Sequence, residues 1–181
     1  MLDNTSQEIR SIVTSEGYIE ISIARVEKPK PLENEVLIKV EASPINPSDL
    51  GLLISFAVDL DSLSVSGSGN TTVAKMKIHP GLMKAMKSRM GQSMQVGNEG
   101  GGVIEDAGAN AKELIGKTVG AAGGAMYSQY RCVPISSCLV MDEDTTSAEA
   151  ASSFVNPLTV LAFIETMKME NHTAIVNSAA A

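Results

Sequence analysis

Apolar and polar side chains alternate through much of the first half of the chain. From Tyr18 to Ala24, Ile19, Ile21 and Ile23 fall on one face and Tyr18, Glu20 and Ser22 on the other. A period of two marks a strand buried on one side. Val36, Ile38 and Val40 alternate in the same way with Leu37, Lys39 and Glu41, after an approach punctuated by Pro29, Pro31 and Asn34. Further short strands are predicted at Gly102–Glu105, Lys117–Ala121, Tyr130–Val133 and Cys138–Met141, most of them separated by glycine or proline. Short strands with irregular turns predict a mainly β barrel or sandwich.

Two stretches break this pattern. Residues 57–95 include the polar, Ser/Gly-rich DLDSLSVSGSGNTT, which reads as loop. Within the basic, methionine-rich run that follows, Leu82, Met83, Met86 and Met90 fall at helical spacing, so a short helix with packed methionines is predicted. After Thr146 the period lengthens. Thr146 and Glu149 form a capping-box pair, and Asn156–Pro157 sets a good N-cap before a proline at the first helical position. The helix predicted from Pro157 to about Lys168 is apolar nearly all round, which predicts burial on most sides. TAIVN, Thr173–Asn177, reads as a buried strand. The change of period places a boundary near 145–150, with a β domain over 1–147 and the start of an α/β unit over 148–181.

Composition sharpens this in three ways. Aromatic residues are 3% of the chain and Trp is absent, so the core is expected to be aliphatic. The net charge is −7, which disfavours nucleic acid, and the basic stretch from Lys75 to Arg89 reads as a solvated face. The N-terminus has no apolar signal region, no apolar run approaches the roughly 18 residues of a membrane span, and two cysteines are too few for a disulfide framework. A cytoplasmic protein without membrane contact is therefore expected.

Two segments hold candidate chemistry. VGNEGGGV, residues 96–103, is rich in glycine, but a dinucleotide fingerprint needs a helix behind the glycines to face the pyrophosphate. Here VIEDAG follows, a short strand and a turn. The cluster is therefore read as a tight turn into a strand packed closely against a neighbour, with Asn98 and Glu99 as polar groups held on it. In EASPINPSDL, residues 41–50, two prolines stiffen the backbone around Asn46, so Asn46, Ser48 and Asp49 are displayed on a rigid turn at a strand end.

Together these segments resemble the medium-chain dehydrogenase/reductase superfamily, whose catalytic domain is a GroES-like β-barrel. VLIKVEASPINPSDL resembles the segment carrying the first zinc-ligand cysteine of zinc alcohol dehydrogenases, and VGNEGGGVIEDAG resembles their G-H-E-x-x-G segment. GKTVGA with AMYSQYRCVP resembles the later strands, and AASSFVNPLTVL the helix entering the cofactor domain. Asn46 stands where the zinc enzymes have their cysteine and Asn98 where they have histidine; carboxamides are poor zinc ligands. Cys132, Cys138, His79 and His172 match no common zinc spacing, so no metal is expected.

The resemblance thus points to the zinc-free branch, the quinone oxidoreductases and enoyl reductases, and implies a GroES-like, partly open β-barrel followed by the helix and first strand of an incomplete Rossmann domain. It implies NADPH as hydride donor and a small electrophilic acceptor, a quinone or an activated enone or enoyl compound. Asn46 would lie beside nicotinamide and substrate, and Thr159 at the cofactor's carboxamide end. Asn156 is read first as a helix cap and second as a cofactor contact. Ser48 and Asn98 would face the substrate cleft, and Tyr127 either lines that cleft or packs in the barrel. Enoyl reductases carry a catalytic tyrosine shortly after INPSD, whereas LGLLISFAVDL here has none. Residues 57–95, longer than is usual for the family, are expected to form a lid or subunit contact. TAIVNSAAA resembles the first Rossmann strand and its phosphate loop, so NADPH binding is expected to need a further C-terminal part. A homodimer or a complementing Rossmann half is the expected protein partner. The competing expectation is a non-catalytic binding or oligomerisation module, or an inactive fragment.

Overall fold

The computed structural model describes residues 4–176. In chain order the elements are β1 (Thr5–Val13), β2 (Tyr18–Glu27), β3 (Glu35–Ala42), α1 (Pro47–Leu53), β4 (Val58–Ser66), β5 (Val73–Ile78), β6 (Ser93–Gln95), β7 (Gly100–Ala107), β8 (Thr118–Ala121), β9 (Tyr130–Pro134), β10 (Cys138–Val140), α2 (Ser147–Ala150) and α3 (Val155–Met169). They form two antiparallel sheets, ordered β4-β5-β2-β1-β6 and β10-β8-β7-β3-β9, and neither closes into a barrel. Residues 127–129 strap the sheets together. Tyr127 O accepts from Ile9 N and Gln7 O from Gln129 N on β1, while Gln129 O accepts from Val40 N on β3.

Each sheet has its own aliphatic core. Val36, Ile38, Ile104, Val119 and Val133 fill the second sheet, and Val13, Ile19, Met76, Ile78 and Met86 the first. The Ile19-Ile21-Ile23 face is buried only at its start: Ile19 is sealed in the core, whereas Ile21 and Ile23 are half-buried and turn toward the gap between the sheets. Strand β1 lay hidden in the sequence because Ser6, Glu8 and Ser11 point inward, so its buried face is polar until Val13.

The 57–95 stretch is woven into the first sheet, β5 pairing with β2 and β6 with β1. The segment read as loop is largely strand β4. Its register slips between Asp59 and Ser64, where Ser62 Oγ accepts from Lys77 N at 2.7 Å in place of a ladder partner. That slip breaks the alternation that would have disclosed the strand. The expected methionine helix is replaced by two short 3₁₀ turns, Pro80–Leu82 and Lys87–Arg89, although Met83 and Met86 do pack on the core.

The C-terminal region departs furthest from expectation. Helix α3 is open rather than buried: Leu158 is 55% exposed, Leu161 52% and Phe163 45%. It ends in a Schellman pattern, with His172 N donating to Met167 O and Asn171, at φ 56°, supplying the left-handed residue. Residues 173–176 form no strand, and Asn177 with residues 178–181, the stretch expected to begin a phosphate loop, lies outside the described residues. Among the described residues no helix is long and apolar enough to cross a membrane.

Candidate functional site

Asn46 and Asp49 open helix α1. Asn46 is the N-cap in extended geometry, Pro47 occupies the first turn, and Asp49 at the third helical position reaches back to accept from Asn46 N at 2.8 Å. Proline costs no hydrogen bond there, and the carboxylate satisfies a donor that the helix leaves free. The other oxygen of Asp49 accepts from Asn98 N at 2.8 Å, which fastens the glycine-rich turn to α1. The far end of α1 is held by Ser11 Oγ, donating to Leu53 O, and by Arg89 Nη2, donating to Leu52 O at 2.9 Å. A cation at a helix C-terminus is favourably placed, and burial holds the Arg89 guanidinium below its ordinary pKa.

Glu99 is the hub of the site. It is fully buried, and its carboxylate takes three donors: Asn46 Nδ2 at 3.0 Å on Oε1, and Phe154 N and Val155 N at 2.9 Å each on Oε2. The last two are orphan amides at the start of α3, where an acidic group is stabilising. Only the nitrogen of a carboxamide can face a carboxylate oxygen in this way, so Glu99 also fixes which way round the Asn46 amide sits.

The glycines make these approaches possible. Gly97 has φ +97°, and a Cβ there would stand 2.6 Å from Tyr127 N. At Gly101 a Cβ would stand 2.4 Å from Ser147 O, so α2 rests directly on the strand backbone. The reading of VGNEGGGV as close packing holds.

The predicted residues separate into groups. Asn46 is 4% exposed and bound to Glu99. Asn98 Nδ2 donates to Ser48 Oγ at 2.9 Å on the outer side of the same turn. Asn156 and Thr159 lie three residues apart on the exposed start of α3, within a few residues of the amides that Glu99 holds, and Thr159 Oγ1 donates to Val155 O at 2.7 Å. Asn156 is not the N-cap: α3 starts at Val155 with Phe154 as cap residue, because Glu99 supplies the acceptor from outside the helix. Pro157 is then the third helical residue, where its missing N–H still costs nothing. The Asn-Pro signature does mark a helix start, but at Asn46–Pro47.

Tyr127 lines a cleft of about 400 Å³ between the sheets, with Ile9, Ile21, Val40, Ile45 and Met126. Its hydroxyl donates to Pro44 O at 3.0 Å. Burial, reinforced by the nearby Asp49 carboxylate, holds the phenol well above its ordinary pKa. Asn46, Ser48 and Asn98 are not part of this lining, although Ile45, the residue before Asn46, is.

Sequence reading assigned Glu99 and Asp49 no definite role. Asp49 was legible, because Asn-Pro-x-Asp is a cap with its acidic third residue. The function of Glu99 depends on α3, more than fifty residues later, and no local signal discloses it. Among the described residues no three His, Cys, Asp or Glu side chains are grouped to hold a metal ion.

No protein-family model and no curated protein sequence matches the chain. Solved structures do match its fold. A Mesorhizobium loti protein assigned as an NADPH:quinone reductase aligns over 94% of this chain and 46% of its own, at TM-score 0.62 and 22% identity. The CurK enoyl reductase aligns over 91% and 43%, at TM-score 0.61 and 15% identity. The mycobacterial protein Rv1454c, solved in complex with NADPH, aligns over 84% and 38%, at TM-score 0.53 and 20% identity. The chain spans less than half the length of each. Two antiparallel sheets followed by a C-terminal helix are thus the fold this chain shares with these solved quinone and enoyl reductases.

Proposed function

We propose that the chain is the catalytic portion of a zinc-independent, NADPH-dependent oxidoreductase acting on a quinone or an activated enone or enoyl acceptor. The observation that carries this reading is the Asn46 carboxamide, oriented by Glu99 beside the first turn of α3. Hydride arriving at an electron-poor carbon leaves negative charge on the acceptor's oxygen, and a positioned hydrogen-bond donor stabilises that charge. Asn46 Nδ2 carries two hydrogens, and Glu99 engages one of them.

The donor set at α3 fits a carboxamide-bearing cofactor. Thr159 Oγ1 spends its hydrogen on Val155 O and keeps lone pairs to accept an amide N–H, while the exposed Asn156 amide offers both donor and acceptor. NADPH, when bound, supplies the hydride. Ser48 and Asn98, paired with each other at the rim, would contact the acceptor's polar end.

The test is absorbance at the reduced-nicotinamide band, using the protein purified from its full reading frame with a panel of quinones and enones. Acceptor-dependent oxidation of NADPH that survives a chelator is the expected result. An Asn46→Ala variant should lose about 100-fold in kcat, the usual cost of removing one oxyanion donor. No turnover with any acceptor would remove the reading. A second reading, a non-catalytic module that binds a second copy or a complementing Rossmann half, draws on the open apolar surface of α3.

A further inference from the structure

We propose that the cleft between the two sheets binds the aliphatic chain of a neutral ligand, with the ligand's polar end directed at the Pro44–Asn46 turn. That the ligand is the acceptor rests on the oxidoreductase reading; that the cleft takes an aliphatic chain does not.

The cleft has the size of a small-molecule site, about 400 Å³. Ile9 and Ile21 line it from the first sheet and Val40 from the second, and Ile45 stands at its mouth, 71% exposed. It shares Ile9, Val40 and Tyr127 with a neighbouring pocket of about 230 Å³ that reaches Ile23, so the apolar strip of Ile21 and Ile23 continues along β2, although Gln7, Glu8, Ser128 and Gln129 also line that second pocket. This is the strip that the isoleucine alternation marks for burial; Ile21 and Val40 pack on the margins of the two cores, and with Ile23 they stay half-buried.

The polar groups of the lining decide what fits. Ser43 Oγ donates to Met126 O, Tyr127 OH to Pro44 O and Ser128 Oγ to Ala125 O, each between 2.9 and 3.0 Å. Glu41, the remaining polar lining residue, accepts from Ser147 Oγ at 2.8 Å. No hydroxyl hydrogen of the lining is left for a ligand, so a carbonyl oxygen finds no hydroxyl donor inside and is better served at the amide of Asn46, the residue after Ile45. A ligand carboxylate would find no cation among the lining residues, only Glu41, itself paired with Lys39 at 3.6 Å, in a chain of net charge −7. The occupant is therefore uncharged, and its affinity comes from buried methylenes.

The chain has no Trp, so Ile45→Trp places a single reporter at the mouth. Titrating this variant with 2-hexanone, 2-octanone, 2-decanone and 2-dodecanone, without cofactor, should give saturable fluorescence changes. Affinity should rise about fourfold per methylene and level off when the cleft is full. Decanoate at pH 7 should bind at least about tenfold more weakly than 2-decanone, which would otherwise require no penalty for a charge beside Glu41. Adding Ile21→Phe, checked for an unchanged circular-dichroism spectrum, should weaken 2-decanone about tenfold or more by filling the strip. Absence of chain-length dependence, equal binding of decanoate, or no effect of Ile21→Phe in a folded variant would each overturn the proposal. Ketone binding in a protein that moves no hydride would keep the cleft and discard the oxidoreductase reading. Hydride transfer that favours short acceptors would keep the oxidoreductase reading and overturn the assignment of the cleft's ligand as the acceptor.

Discussion

Asn46 and Glu99, fifty-three residues apart, share one hydrogen bond of 3.0 Å, and through it the turn that opens α1 is tied to the start of α3. The tie has a local cause at each end. Asn46 is held as the N-cap of α1 by Asp49, and the burial of the Glu99 carboxylate is compensated by two amides of α3 that have no partner within the helix.

Replacing Glu99 by Gln should therefore unfasten both helices. The amide can present one acceptor oxygen where the carboxylate presents two, so either Asn46 Nδ2 or the α3 amides lose their partner. A loss of about 1–3 kcal/mol in urea unfolding is expected. Amide hydrogen exchange should accelerate at Phe154 and Val155 more than in the strands.

Gly101→Ala should be costly for a different reason. Its Cβ would fall 2.4 Å from Ser147 O and 2.6 Å from Ala151 N, so α2 must move off β7. The expected destabilisation is about 1–3 kcal/mol by thermal or urea melting, whereas Gly116→Ala, with nothing within 4 Å, should cost only the strain of its φ of +86°.

Arg89 links the 57–95 stretch to the site. Arg89→Ala removes the donors to Leu52 O and Ser11 Oγ at the end of α1. A loss of about 1–2 kcal/mol is expected, together with faster amide exchange in α1 than in β7.

The two cysteines should resist alkylation at neutral pH. Burial pushes both thiols up to about 11, with Glu35 adding to the effect at Cys132. Because the thiolate is the nucleophile, the iodoacetamide rate should keep climbing as pH rises past the usual cysteine range, toward 11. A plateau near pH 8.5, the free-thiol value, would contradict these environments.

Much of the β architecture was legible because its residues obey one rule at a time. Ile19 to Ile23 and Val36 to Val40 alternate, and both are strands. What escaped reading was decided by distant partners. Strand β1 buries Ser6 and Glu8, β4 slips register around Ser62, and α3 is capped by a glutamate in another segment. The apolar circumference of α3 predicted burial, yet the described residues leave it open. In the site, Asn46 and the glycine packing were visible locally. The hub, Glu99, acquires its role only when the first amides of α3 reach its carboxylate.

The most direct test of the account is isotope transfer by the protein from its full reading frame, given deuterium-labelled NADPH and an enone in the presence of a chelator. The product should gain one deuterium at the carbon β to the carbonyl, and Asn46→Ala should nearly abolish the gain. An unlabelled product, or labelling that vanishes with the chelator and returns with zinc, would contradict it.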